Sequence, residues 1–286
     1  MVSSPTLRRR RLSRLLRELR EDRGYTAKWV ADQAKARSGR PRGWSESKLN
    51  RLEAGEWKRV KADDVNILLD IYKVTSQDER AAYITLAKEA NQKGWWASYG
   101  NILGSGQFIG LEAEASGIRT FESMTIPGLL QTESYARAMI RGSGLVVDET
   151  DLDRRVEARM IRKQVLHRSD PPDYWAVIDE AALSRITPDL SDQLQYLLDV
   201  STRTNIGIQV LPIDRGPHAA MTGQFVIMEF PPPDPPVVYL EVMSEELYLE
   251  KPEEIRHYQR VYDYVQAEAL PTDESRDRIR QRLTSL

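Results

Sequence analysis

Apolar residues recur every three or four positions through the first third of the chain, a spacing that predicts short amphipathic helices. The stretch from Trp44 to Gly55 shows this pattern most completely. Ser45 is the expected N-cap of the helix, Leu49 and Leu52 form its buried face, and Gly55 can adopt the left-handed conformation that ends it. The side chains expected on the opposite, solvent-facing side are polar: Glu46, Ser47, Lys48, Asn50 and Arg51.

The same spacing predicts four further helices around this one. Their expected ranges are Thr6 to Gly24, Ala27 to about Ala34, Asp63 to Tyr72, and Ser76 to about Ala90. Between the second and third helices, residues 35–43 are rich in Gly, Pro and Arg, which indicates a surface loop. Five short helices in this order are typical of a helix-turn-helix domain.

After a junction at residues 91–107, helical and extended stretches alternate. Extended segments are expected at 120–126, 174–178, 206–211, 225–230 and 237–242. The last two flank the proline-rich turn PPPDPP, which predicts a hairpin with its prolines outside the ladder. The predicted fold class is therefore α plus α/β. A five-helix helix-turn-helix bundle at residues 1–90 is followed by a mixed α/β domain with a four- to five-stranded sheet at residues 108–286.

The charge of the 286-residue chain is divided unevenly between its two ends. The net charge is -2, but residues 1–61 hold 18 Lys and Arg against 7 Asp and Glu, a net of +11, so the remainder carries -13. A basic end joined to an acidic body is expected when one end meets a polyanion, although a solvated charged terminal helix is the alternative. The chain has no cysteine, which excludes disulfides and thiolate metal sites and favours a cytoplasmic location. No apolar run approaches the ~20 residues that a membrane span needs.

The polar face of the third helix suits the major groove of DNA. Lys and Arg match guanine or phosphate acceptors, Asn matches adenine, and Ser can serve either kind of base. The alternative is a helix face that simply meets water. In the loop before this helix, Arg40 and Arg42 either add a phosphate or minor-groove contact or are solvated surface.

The motifs of this region resemble the Xre/Cro-type helix-turn-helix family. The resemblance is carried by Gly24-Tyr25-Thr26, Val30-Ala31 and the run from Ser47 to Gly55, SKLNRLEAG. It implies that the third helix enters the major groove. Carried over by position, Ser45, Glu46, Ser47, Lys48 and Asn50 would face bases, Arg51 the flanking backbone, and Thr26 and Lys28 the phosphates. The chain departs from the family at Ala27, where Gln is usual, and in a turn about eight residues longer than the usual one.

The second half is similar to a C-terminal domain of unknown function found in bacterial regulators of the WhiJ-like and Scr1-like kind. The similarity rests on motifs that recur in order, among them Gly94-Trp95-Trp96, the run IPGLLQT from Ile126 to Thr132, Asp179-Glu180-Ala181-Ala182-Leu183, and Gln209-Val210-Leu211-Pro212. This resemblance implies a cytoplasmic transcription regulator, often encoded beside a small partner protein.

No catalytic constellation is evident in the sequence. His167, His218 and His257 are far apart and lack the spacing of metal ligands, and no nucleophile elbow or phosphate-binding loop occurs. Asp179 and Glu180 follow an expected strand, where Asp179 is best interpreted as a helix cap. We therefore expect no catalytic residue, no metal site and no cofactor.

Three functions are compatible with these observations. The first is a sequence-specific regulator that binds double-stranded DNA through the helix-turn-helix, with a C-terminal domain that senses a small partner protein or ligand. The alternative is an antitoxin-like interaction module that binds a small protein encoded nearby and uses DNA binding only for autoregulation. An enzyme built on the C-terminal domain is the third. A homodimer is expected by analogy, because one recognition helix covers only a few base pairs.

Overall fold

The computed structural model describes residues 5–40, 43–57, 59–99, 102, 106–144, 146–242 and 245–286. The chain divides into two compact units, residues 1–98 and residues 99–286. The first unit is helical and the second is built on a mixed sheet, which confirms the predicted fold class. The sheet has six strands rather than the expected four or five.

Five α-helices form the first unit. They are α1 (Pro5–Asp22), α2 (Ala27–Ser38), α3 (Glu46–Glu53), α4 (Ala62–Ile71) and α5 (Gln77–Ala90). The predicted N-cap at Ser45 is confirmed, and Thr26 and Ser76 act in the same way, because each hydroxyl oxygen accepts a backbone N–H from the first turn of its helix. These caps fix where α2, α3 and α5 begin.

The second helix is longer than predicted. It continues past Ala34 to Ser38 and ends at Gly39, which adopts the left-handed conformation with φ of 62°. Lys35 and Arg37 therefore lie on a helix and not in the expected loop, and the connection to α3 shortens to residues 39–45. The loop was predicted to start too early, because Lys35, Ala36 and Arg37 form helices well and extend α2 by a turn.

A single apolar cluster holds the five helices together. Each helix contributes fully buried or nearly buried side chains, among them Leu12, Leu16, Val30, Leu49, Leu68, Leu69 and Ala87. Leu49 is 0% exposed and Leu52 is 6% exposed, which confirms the predicted inner face of α3. Burial of an apolar side chain of this size stabilises the fold by roughly 1.5–3 kcal/mol, so the core fixes which side of α3 faces outward.

The sheet of the second unit has the order β3-β2-β1-β4-β5-β6. Its strands are β1 (Gly117–Glu122), β2 (Asp173–Asp179), β3 (Ile206–Leu211), β4 (Phe225–Glu229), β5 (Val237–Glu241) and β6 (Glu246–Leu249). Strands β1, β2 and β3 are parallel, whereas β4, β5 and β6 join them in antiparallel pairs. The predicted hairpin is confirmed as β4 and β5. The strand that the sequence did not indicate is β6.

Helices cover the sheet. They are α6 (Gln107–Glu112), α7 (Glu133–Gly142), α8 (Glu149–Arg162), α9 (Glu180–Ser184), α10 (Ser191–Val200), α11 (Pro252–Glu268) and α12 (Thr272–Thr284). On one face, Phe121, Phe225 and Val238 pack against Tyr262 and Val265 of α11. Tyr239 points to the other face, because neighbouring residues of a strand point to opposite sides. There the centre of its ring lies 4.2 Å from the centre of the Phe108 ring of α6.

The boundaries around β1 differ from the prediction. The strand expected at 120–126 occupies Gly117–Glu122 and is preceded by α6, which ends at Glu112. Backbone pairing explains the shift, since Gly117 pairs with both Asp173 of β2 and Glu229 of β4. No helix in the described ranges is long and apolar enough to cross a membrane.

Candidate nucleic-acid interface

The outer face of α3 is polar and accessible. Ser47, Asn50 and Arg51 are exposed, as are Ser45 and Glu46 at the start of the helix. Together with Ala54 and Glu56 they line a shallow surface depression. The buried leucines point the other way, so α3 presents one apolar and one polar side, as a helix that enters a DNA groove requires.

The two predicted hydroxyl contacts also act as caps. Ser45 Oγ accepts the Lys48 N–H at 3.1 Å, and Thr26 Oγ1 accepts the Trp29 N–H at 3.2 Å. Each hydroxyl keeps its own O–H, which can still be donated to a phosphate oxygen. Exposed Lys28 lies on the first turn of α2 beside Thr26, and the N-terminus of a helix favours an anion.

Lys48 is held by the protein itself. Its Nζ donates to the Gly43 carbonyl at 2.7 Å and to Asp64 Oδ2 at 3.1 Å, and it lies 4.3 Å from the centre of the Trp44 ring. These contacts tie the start of α3 to the turn before it and to α4. For Lys48 to contact a base as predicted, its Nζ would have to leave these partners.

Asp64 also binds the turn between α2 and α3. Arg40 Nη1 lies 3.2 Å from Asp64 Oδ1, while the second carboxylate oxygen accepts from Lys48. The Asp64 side chain is only 10% exposed, so one buried carboxylate braces two cations of the predicted interface. Arg42, the other predicted loop contact, lies outside the described residues. Sequence reasoning missed Asp64, although an acidic residue beside the buried Val65 was an available signal.

A second ion pair, again with a buried carboxylate, fixes the far end of α3. Arg20 of α1 donates from Nε to Glu53 Oε1 at 2.7 Å and from Nη2 to Glu53 Oε2 at 2.8 Å. Its Nη1 donates to the Tyr25 carbonyl at 2.9 Å. The hydrogen bond to Glu53 raises the pKa of Arg20. Because the Glu53 side chain is 5% exposed, this fork connects α1 to α3 in a setting with little solvent screening.

Several of the arginines that give residues 1–61 their net charge of +11 contact other groups of the first unit. Arg8 pairs with Glu89, Arg14 with Glu18 and Arg17 with Glu21, and the Arg9 guanidinium lies 5.1 Å from the centre of the Trp57 ring. By contrast, Lys28 of α2 and Arg51 of α3 are exposed and form none of the ion pairs found among the described residues. Among the described cations of the predicted interface, Lys28 and Arg51 are therefore available to phosphates, whereas Arg40 and Lys48 pair with Asp64.

His218 and the Asp179-Glu180 pair take structural positions in the second unit. Asp179 Oδ1 accepts the Ala181 N–H at 2.8 Å, which confirms the predicted cap, and Asp179 Oδ2 lies 3.6 Å from His218 Nε2. Glu180 accepts from Arg278 at 2.6 Å. Asp179 therefore caps α9, and Glu180 connects α9 to α12 at the end of β2. That the chain is no enzyme stays a prediction.

Two family models match the chain. The model described as a helix-turn-helix domain matches residues 11–83, which cover α1 to α5 with the exception of the ends. The model described as a domain of unknown function, DUF5753, matches residues 105–281. The chain belongs to the DUF5753 family. No curated protein and no solved structure matches this DUF5753 protein. The helix-turn-helix match supports a DNA-binding regulator.

Proposed function

We propose that this DUF5753 protein is a sequence-specific, Xre-type transcription regulator whose α3 reads the major groove of double-stranded DNA. The observation that carries the proposal is the exposed polar face of α3 in the helix-turn-helix position. In our assignment Asn50 bonds an adenine edge, and Ser47 and Glu46 contact neighbouring bases. Arg51 neutralises a flanking phosphate.

Phosphate contacts set the position of α3 in the groove. Thr26 and Lys28 at the start of α2 supply them in this proposal, because the N-terminus of a helix favours an anion and Lys28 adds an exposed cation there. Arg40 and Lys48 act mainly through Asp64, by holding the turn before α3 in place. The WhiJ-like resemblance supports a cytoplasmic regulator in which the DUF5753 domain responds to a ligand or to a small partner protein.

Selection of bound sites from random duplexes, followed by titrations of the full-length chain, tests the proposal. We expect Asn50→Ala to relax preference at one base position by about 1–3 kcal/mol. Lys28→Ala should weaken binding to all sequences alike and reduce the slope of log K against log salt by about one. Lys88→Ala removes an exposed lysine from α5 and is the matched control, with no expected effect.

Two outcomes contradict the proposal. The first is the absence of salt-dependent binding to any duplex. The second is a loss of affinity in Lys88→Ala equal to that in Lys28→Ala, which would indicate a diffuse charge effect without a defined docking face.

We also propose that the regulator acts as a homodimer. Two copies of α3 would then meet half-sites about 34 Å apart on one side of the duplex. Sedimentation of the protein, alone and on DNA, checks the stoichiometry. A footprint that covers only one half-site at saturation would contradict a two-fold arrangement.

A further inference from the structure

The second unit contains a cavity of about 480 Å³ at the end of β1. It lies on the face of the sheet that carries Glu122 and Tyr239, and α6 and α8 border it. Strand β1 is also where the sheet changes direction, because its neighbour β2 is parallel and its neighbour β4 is antiparallel. Cavities of this size hold small organic ligands.

A guanidinium with few partners faces this cavity. Arg159 of α8 donates from Nη1 to Gln131 Oε1 at 2.7 Å, and no ion pair joins it to a carboxylate within the described ranges. Burial lowers the pKa of Arg159. Arg162, one turn further along, differs because it forms a two-bond fork with Glu112 at 2.5 and 2.7 Å. Among the described residues that line this cavity, Arg159 is thus an arginine without a direct ion pair, although Glu241 and Glu122 act on it from a distance.

A carboxylate with few partners faces the same cavity. Glu122 Oε2 accepts from Thr125 Oγ1 at 3.1 Å, yet Glu122 forms no ion pair with Arg159. Burial raises the pKa of Glu122 to about 7. The titratable and charged groups around it come from four elements: Arg159 and Arg162 of α8, Glu241 of β5, Tyr135 of α7 and Tyr174 of β2.

The rest of the cavity combines an apolar wall with an acidic rim. Phe108 and Ile109 of α6, Ile126 and Tyr239 supply the wall. Glu241 and Glu246, which are exposed, lie at the rim. An apolar wall favours a hydrocarbon group, and the rim carboxylates attract a positively charged end.

We propose that this cavity binds a small organic zwitterion of amino-acid or dipeptide size, with its carboxylate on Arg159 and its ammonium on Glu122. The inference rests on the proposed sensing role of the domain and names the class of ligand. A simple anion would leave the half-buried Glu122 without a direct ionic contact, and a simple cation would leave the half-buried Arg159 without one. One molecule that carries both charges and an apolar side chain satisfies both groups and the wall.

Calorimetric titration of the full-length chain at pH 7.4, without DNA, tests the proposal, because most of the α-amino groups and most of the Glu122 carboxylates are ionised at this pH. The probes are L-leucine and L-leucyl-L-leucine, with N-acetyl-L-leucine as the carboxylate-only analogue and L-leucinamide as the ammonium-only analogue. We expect at least one zwitterion to bind about tenfold or more tightly than both analogues, because each analogue forfeits one charge-assisted contact. Affinity for the zwitterion should fall as the pH is lowered below 7, since its ammonium needs ionised Glu122.

Variants locate the binding. Glu122→Gln should weaken binding of the zwitterion and leave binding of N-acetyl-L-leucine unchanged. Arg159→Gln should also weaken binding of the zwitterion, but it should leave binding of L-leucinamide unchanged. Met139→Trp keeps both charges and fills the mouth of the cavity, so it should abolish binding. Met124→Trp is the matched control, because Met124 is similarly exposed (43% against 37%) and lies outside the lining.

Three results overturn the inference: no binding of either zwitterion, equal binding of the zwitterion and a single-charge analogue, or unchanged binding in Met139→Trp. Because no DNA is present, each of these results is independent of the proposed recognition of an operator. Conversely, zwitterion binding by a chain that ignores all duplexes would uphold the cavity and reject the regulator.

Discussion

The buried fork between Arg20 and Glu53 supports the sharpest prediction about the DNA-binding unit. Arg20→Gln removes the guanidinium and leaves the Glu53 carboxylate, whose side chain is 5% exposed, without its ionic partner. The matched variant is Arg17→Gln, which makes the same change three residues earlier on the same helix. Arg17 pairs with Glu21 at 2.8 Å, but those side chains are 59% and 48% exposed.

The two variants should differ by several kcal/mol in the free energy of local unfolding of α1 and α3. Removal of one partner from a buried ion pair typically costs about 3–5 kcal/mol, whereas an exposed pair spaced i, i+4 is worth about 0.3–0.5 kcal/mol. The Arg20 fork also supplies the hydrogen bond to the Tyr25 carbonyl, which is lost with it. Arg20→Gln should therefore loosen α1 and α3 together, and Arg17→Gln should leave both in place.

Hydrogen exchange of the full-length chain measures the effect without separating the units. Amides of α1 and α3 should exchange roughly two to three and a half orders of magnitude faster in Arg20→Gln, given a factor of ten for each ~1.4 kcal/mol. Amides of β1 to β3 serve as the internal reference. Acceleration below tenfold, or equal acceleration in Arg17→Gln, would refute the view that the fork holds α3 against α1.

Three further predictions concern the site and the cavity. Asp64→Asn should speed hydrogen exchange at the amides of residues 43–48 and weaken specific DNA binding, because Lys48 and Arg40 lose their shared carboxylate. The control is Asp63→Asn, which changes an exposed neighbour. Equal effects of the two variants would contradict the bracing role of Asp64. Ser45→Ala should cost about 1 kcal/mol of local stability at the start of α3, measured by exchange at the same amides. Glu122 has a pKa near 7 in the folded state, above the value of the unfolded chain, so the folded state binds more protons and stability should fall as the pH rises from 5 to 8. Glu122→Gln should remove that slope from the melting temperature of the second unit, and an unchanged slope would contradict the assignment.

Local features of the sequence predicted the first unit well. The N-caps and the spacing of apolar residues are short-range signals, and they located α1 to α5 and the two faces of α3. The end of α2 was misplaced because Lys35 to Ser38 are compatible with both a helix and a loop, and only the left-handed Gly39 decides between them. The ion pair between Lys48 and Asp64 could not be predicted from local patterns, since Asp64 lies 16 residues away on another helix.

Long-range pairing explains what the sequence did not reveal in the second unit. Strand β6 has only four residues, of which Glu246 and Leu247 are exposed, so it shows little of the apolar alternation that marks a strand. The cavity depends on the arrangement of β1, α8 and β5, which brings Glu122, Arg159 and Tyr239 together from distant parts of the chain. No motif of fixed spacing announces such a site.

The two margins of the six-stranded sheet restrict how copies of this protein can associate. At the β3 margin, the Val210 N–H donates to Ser275 Oγ and the Val210 carbonyl accepts the Leu270 N–H, both at 2.9 Å, so α12 and the segment before it occupy that edge. The β6 margin is short and starts with an acidic residue, features that discourage the addition of a foreign strand. Self-association by continuation of the sheet from one copy to the next is therefore disfavoured. If two copies of this protein associate, we expect the contact to form between side-chain surfaces.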